Sequence, residues 1–124
     1  MKANLKHGLI GLVALTLGAC SGAPGGGGAA SNDRDRGYDA LKAGNIAQAQ
    51  QFLEAAYAKD PNDPYTQLNL GATYDRLNQP DKARPLYTKV LDTGKNVVPG
   101  VTTNGTKGKS LADMAQENLA AMKK

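Results

Sequence analysis

The side chains with the widest chemical range in this chain are one thiol, Cys20, and one imidazole, His7, and both lie near its start. Cys20 closes the tetrapeptide Leu17-Gly18-Ala19-Cys20, behind an apolar run from Leu9 to Leu17 and a basic start at Lys2, Lys6 and His7. A charged start, an apolar middle and small residues before a break form the three-part layout of a secretory signal. With no second cysteine, a disulfide within the chain is excluded. The roughly 12 residues from Gly8 to Ala19 would rise only about 18 Å as a helix, against a hydrocarbon core of about 30 Å, so the run is too short to span a membrane. The thiol therefore reads as a point of processing and address.

The Leu-Gly-Ala-Cys box resembles the lipobox of bacterial lipoproteins. The resemblance implies that Cys20 takes a diacylglyceryl group and becomes the first residue of the mature chain, with residues 1–19 removed as signal peptide. Two or three acyl chains hold a protein on a membrane far more firmly than one, since each buried methylene contributes about 0.8 kcal/mol. Ser21 stands where enterobacterial lipoproteins retained at the inner membrane carry Asp, so the implied location is the outer membrane, facing the periplasm. Residues 20–32 then form a Gly-rich tether with no charge and nothing large enough to pack. A flexible tether of this length reaches about 20 Å.

Removing 19 of 124 residues leaves 105, enough for one domain. The full chain holds 15 basic and 11 acidic residues; without Lys2 and Lys6 the net charge falls from +4 to +2, too little to argue for nucleic acid. His7 would leave with the signal and the Cys20 thiol would become a thioether. A mature chain without either group lacks the ligands of a His or Cys zinc site and the parts of a Ser-His-Asp or Cys-His nucleophile. No Gly-rich phosphate loop followed by Lys-Ser or Lys-Thr is present, so no cofactor or metal is expected. An enzymatic alternative rests on the carboxylates Asp60 and Asp63 acting on envelope glycans. Asp63 stands directly before Pro64, however, where a helix cap explains it, and the chain reads as a non-enzyme.

The elements that must position any working surface repeat. Gly37 recurs as Gly71, Ala49 as Ala83, and Leu53 is answered by Tyr87, each 34 residues on. Small residues fall where two helices would approach closely, and large ones where the gap between them is filled. With repeats at 30–63 and 64–97, this pattern resembles the tetratricopeptide repeat, a pair of antiparallel helices per unit. The resemblance implies an all-α fold over residues 33–124, about two and a half repeats and five helices in a short right-handed solenoid. Local signals agree: Ser31 or Asn32 caps a first helix that Gly44 ends, and Asn45 with Gln48 suggests a capping box for a second. Asp63-Pro64 opens a third and Pro80 a fourth, which carries Pro85 inside it and stops before Gly94. After a Gly-, Thr- and Lys-containing loop at 95–109, Ser110 and Asp113 open a fifth helix over 110–123, whose Met114 and Met122 read as core filler. Departures from the family pattern are Asp33 and Gln67 where a Trp is usual, and Lys95 where Pro is usual.

In tetratricopeptide proteins the first helix of each unit lines a concave face that binds peptides. The resemblance implies a partner-binding set of Arg34, Tyr38, Lys42, Tyr65, Leu68, Asp75 and Arg76, with Ser31, Leu41 and Ala72 on the same face. Tyr and Arg are common binding anchors because they bury area and hydrogen-bond at modest entropic cost. The function expected is a lipid-anchored envelope adaptor or scaffold holding a protein or peptide partner. The alternatives are a pilotin-like assembly factor for a pilus or secretion system, and a structural outer-membrane lipoprotein. Exposed end faces of so short a solenoid also predict self-association, as a homodimer or by docking on another envelope protein.

Overall fold

Asp63 shows how a helix start is written into this chain: its carboxylate accepts hydrogen bonds from the backbone N–H of Tyr65 at 3.3 Å and of Thr66 at 3.1 Å. Pro64 follows at the first helical position, where its missing N–H costs nothing. A computed structural model describes residues 28–100 and 105–122, and among them the backbone forms five α-helices and no strand. They are α1 (Gly28–Ala43), α2 (Ile46–Lys59), α3 (Pro64–Arg76), α4 (Pro80–Thr93) and α5 (Leu111–Ala121). None of these helices is long and apolar enough to cross a membrane. Cys20, the expected signal residues and the first part of the expected tether lie outside the described residues.

Two expected starts differ. Helix α1 begins at Gly28, ahead of the cap expected at Ser31 or Asn32, so the backbone of 28–32 belongs to the helix and not to the tether. The capping box expected from Asn45 and Gln48 does not form. Gly44, at φ +83°, turns the chain so tightly that Asn45 sits at ψ 74°, short of the extended conformation a capping side chain needs. The turn is closed by backbone alone, with Asn45 N–H donating to the carbonyl of Ala40 at 2.9 Å. At α5 the expected box is complete: Asp113 N–H donates to Ser110 Oγ at 3.1 Å, and Ser110 N–H donates back to the Asp113 carboxylate at 2.9 Å. Helix α4 runs on through Pro85, which is exposed, so the carbonyl it leaves without an intrahelical donor lies on the solvent side.

The 34-residue spacing becomes packing. A methyl group placed on Gly37 would stand 2.5 Å from Leu53 Cγ, and one on Gly71 would stand 2.8 Å from the Tyr87 ring. Each glycine thus lets the second helix of its unit press a large side chain onto the backbone of the first. Ala49 and Ala83 are fully buried beside them, and Tyr87, Leu53, Leu111 and Val90 form the centre of the core. Burying side chains of that size contributes about 1.5–3 kcal/mol each. Helix α3 packs on α2 and α4, and α5 closes the stack against α4. Gly94 admits that last helix: a methyl group there would lie 2.7 Å from Leu111 Cβ. Leu111 N–H donates to the Val97 carbonyl at 2.8 Å, so the end of α4 and the start of α5 are tied across the intervening loop.

Gln67, in the place where a Trp is usual, is buried and fully used. Its Nε2 donates to the Pro61 carbonyl at 2.7 Å, and its Oε1 accepts from Thr93 Oγ1 at 2.6 Å. One amide therefore links the turn before α3 to the last turn of α4. A buried polar group of this kind is stabilising only when both ends are paired, as they are here.

Candidate protein-docking surfaces

Helices α1 and α3 run side by side, and the residues expected to bind a partner fall into three groups along them. At one end Arg34 stacks over the Tyr65 ring, 5.3 Å from its centroid, and lies 3.5 Å from the Asp63 carboxylate that caps α3. Tyr65 is half-buried beneath it. Midway along α1, Tyr38 is 44% exposed, one of the two large apolar side chains among the described residues that project into solvent, and Lys42 Nζ sits 5.2 Å from its ring. At the other end Arg76 Nη1 donates to the Leu41 carbonyl at 2.9 Å, closing the C-terminus of α1. Asp75 beside it is exposed, whereas Leu68 and Ala72 are partly buried against the core and Leu41 belongs to it.

The structure therefore brings Arg34 and Tyr65 together, keeps Tyr38 and Lys42 exposed, with Lys42 beside the Tyr38 ring and 3.9 Å from Asp39, and gives Arg76 a task within the fold. The Leu41 carbonyl also accepts from Gly44 N–H at 3.2 Å, so the guanidinium adds a second, charged donor that suits the negative end of the dipole. The Asp60 and Asp63 carboxylates are also taken: Asp60 accepts from the Asn62 N–H at 3.1 Å, and Asp63 serves the α3 cap, the Thr66 hydroxyl and Arg34.

A second surface lies between α2, α3 and α4. There Tyr57, Ala58, Leu70, Tyr74 and Leu86 line an open, mainly apolar groove of about 290 Å³, together with Glu54 and Lys82. Tyr74 Oη donates to Glu54 Oε1 at 2.7 Å, and Gln50 Nε2 donates to the same oxygen at 2.8 Å. These bonds, Tyr74's first, hold the Glu54 carboxyl below its ordinary range. Burial and the neighbouring Glu54 push the Tyr74 phenol up to about 12. Sequence reasoning missed this groove because Tyr57 and Leu70 carry the ordinary spacing of core positions. A groove between three helices appears only once their crossing is set. The one signal available in the sequence is the pair Tyr57 and Tyr74, aromatic residues with polar tips that seek a partner when buried.

These helices and their 34-residue echo have a counterpart among known families. Residues 40–97 match the tetratricopeptide repeat. The match spans α2 to α4 with the end of α1, so the all-α architecture is a tetratricopeptide-like helical-repeat solenoid. No curated protein and no solved structure is significantly similar to the chain. Tetratricopeptide repeats generally mediate protein–protein contact and are typically not catalysts, which supports a scaffold or adaptor role for this domain.

Proposed function

We propose that this protein is a lipid-anchored adaptor of the bacterial cell envelope, acylated at Cys20 and probing for a protein partner with the α1–α3 face. Tyr38 carries the docking half of this reading. An aromatic ring held 44% exposed beside an ammonium can bury further area and hydrogen-bond at once. The anchoring half rests on Leu17-Gly18-Ala19-Cys20 behind its basic and apolar run. Outer-membrane placement follows from Ser21 within the same reading.

Intact-mass spectrometry of the protein from membranes tests the anchor. The expected species starts at Cys20 and carries two or three acyl chains; an unmodified thiol with the first 19 residues retained overturns it. For docking, a photoreactive benzoylphenylalanine in place of Tyr38 is the better probe, since Tyr65 is half-covered by Arg34. A single cross-linked protein, lost when Lys42→Glu is added, is expected. Capture of lipid alone, or of nothing, overturns the α1–α3 reading.

A further inference from the structure

Helices that alternate in direction bring one end of each to the same edge of the stack. At that edge Lys59, closing α2, bonds Asp33 near the start of α1 at 2.6 Å, and Arg34 lies 3.5 Å from Asp63, the cap of α3. Gln67 of α3 accepts from Thr93 in the last turn of α4, and Ala112 N–H at the start of α5 donates to the Gly94 carbonyl at 3.2 Å. The start of α1 and the junction between α4 and α5 therefore lie on one side, although α2 and α3 stand between them in the chain. The residues before Gly28 join the fold at this edge.

The α4–α5 junction is unlike the rest of the surface. From Thr93 to Ala112 the sequence holds Lys95, Lys107 and Lys109 and no carboxylate. On the same stretch Val98 is 53% exposed, more than any other large apolar side chain among the described residues. The backbone puts it there: the Val97 carbonyl accepts from Leu111 N–H at 2.8 Å, which draws Val97 onto the core and leaves Val98 outside. Lys95 and Lys107 are exposed and enter no ion pair among the described residues, while Lys109 is paired with Glu117 of α5 at 2.5 Å. Of the flanking carboxylates, Asp113 accepts from the Ser110 backbone and hydroxyl, and Asp92 is exposed. An outward apolar side chain among unpaired ammonium groups suits a headgroup layer, where phosphates take the charges and the valine leaves water.

Distance narrows the occupant. In the lipid-anchored reading only residues 21–27 separate acylated Cys20 from Gly28, and a flexible tether of that length reaches about 15 Å on average. The edge that carries the junction is then held close to the headgroups, where tethering makes a weak attraction sufficient.

We propose that the α4–α5 junction rests on an anionic phospholipid surface, with Lys95 and Lys107 on headgroup phosphates and Val98 in the headgroup layer. The inference rests on the anchored reading and adds a fixed pose to it. The helices stand upright, and Tyr38, about 15 Å along α1 from Gly28, is held clear of the surface for a protein partner. Each lysine near such a surface strengthens attachment about fivefold, and added salt weakens it.

The test uses the mature acylated protein in phosphatidylethanolamine vesicles holding about a quarter phosphatidylglycerol, and in phosphatidylcholine vesicles. With Cys20 acylated, a nitrobenzoxadiazole dye is carried by Asn96→Cys, an exposed position beside Val98, or by Tyr38→Cys on α1. On the anionic vesicles the dye at 96 is expected to shift its emission to shorter wavelength and to be quenched by nitroxide-labelled lipid, far less so on phosphatidylcholine, with the dye at 38 unchanged. Lys95→Glu with Lys107→Glu, or Val98→Asn, reduces the shift while helicity by circular dichroism is unchanged. Equal signals from 96 and 38, the same shift on phosphatidylcholine, or a shift undiminished in either variant overturns the proposal. The anchored reading fails on a different observation, protein that does not float with phosphatidylcholine vesicles, and the pose falls with it.

Discussion

The two helix pairs share one framework and solve it differently. In the first, Gly37 faces Leu53; in the second, Gly71 faces Tyr87, a larger and polar-tipped ring. The second pair is covered on both sides, by α2 and by α5, whereas the first is covered by α3 alone among the described helices. Polar groups follow that difference. Around the second pair several are buried and paired within the protein, as with Gln67, Thr66 and Thr73, while Tyr87 Oη and Gln79 Oε1 are buried without a partner. Around the first they form ion pairs and cation–aromatic contacts at the surface: Lys59 with Asp33 at 2.6 Å, Arg36 over Phe52 at 4.0 Å, Lys42 over Tyr38. The comparison teaches that the same repeat becomes a core where it is sandwiched and a surface where it ends. The neighbour, more than the repeat itself, decides which.

The strongest way to break the comparison is at the two large side chains. Tyr87→Ala should cost about 3–5 kcal/mol and Leu53→Ala about 2–5, read from urea unfolding, with the tyrosine the costlier of the two. Tyr87→Phe should be nearly neutral or slightly stabilising. The Tyr87 hydroxyl is buried beside Asn118 without a bond of full hydrogen-bonding geometry, and burial pushes its pKa well up. A loss of more than about 1 kcal/mol on Tyr87→Phe would mean that this hydroxyl is paired after all.

The junction between the pairs is next in size. Tyr74 of α3 donates to Glu54 of α2, and Tyr74→Phe should cost about 1 kcal/mol at neutral pH. Its phenol is raised from 10.0 to about 12, so the folded state favours the protonated form. That contribution is complete below pH 10.0 and is lost as pH rises toward about 12. Thermal melts across this window should show an alkaline loss that Tyr74→Phe reduces.

The smallest difference separates the caps. Ser110→Ala should cost about 1 kcal/mol, because it removes the acceptor for Asp113 N–H, while Asn45→Ala should cost only a few tenths because no side-chain cap exists there. Equal losses in the two variants would erase the distinction. The Asp113 carboxyl is held below its ordinary 3.8 by hydrogen bonds from the Ser110 backbone and side chain. Its share of stability is therefore present above that value and lost as the solution is acidified below it.

Much of the fold was legible in the residues. Gly37 and Gly71 announce close approach, Asp63-Pro64 and Ser110 with Asp113 announce helix starts, and each signal is local, acting within one turn or at one fixed spacing. Asn45 misled because a capping residue also needs an extended backbone, and the Gly44 turn denies it. The candidate surface was legible only in part. Tyr38 and Lys42 are exposed on α1, but nothing adjacent in the chain shows that Arg76 spends its guanidinium on Leu41, 35 residues away. The α2–α3–α4 groove was not legible at all.

Composition and spacing by themselves determined the 34-residue helical repeat, and they carry the expectation of an address at Cys20 with the loss of thiol and imidazole that would go with it. These depend on residue type and periodicity, which need no third dimension. Tertiary structure alone decided which side chains meet: Arg34 stacked on Tyr65, Gln67 joining two helix ends, Lys82 over Tyr74 and Lys89 over Tyr57. Such roles depend on how three helices cross. A crossing is set by the fit of Leu53, Tyr87 and their glycines together, not by any one segment.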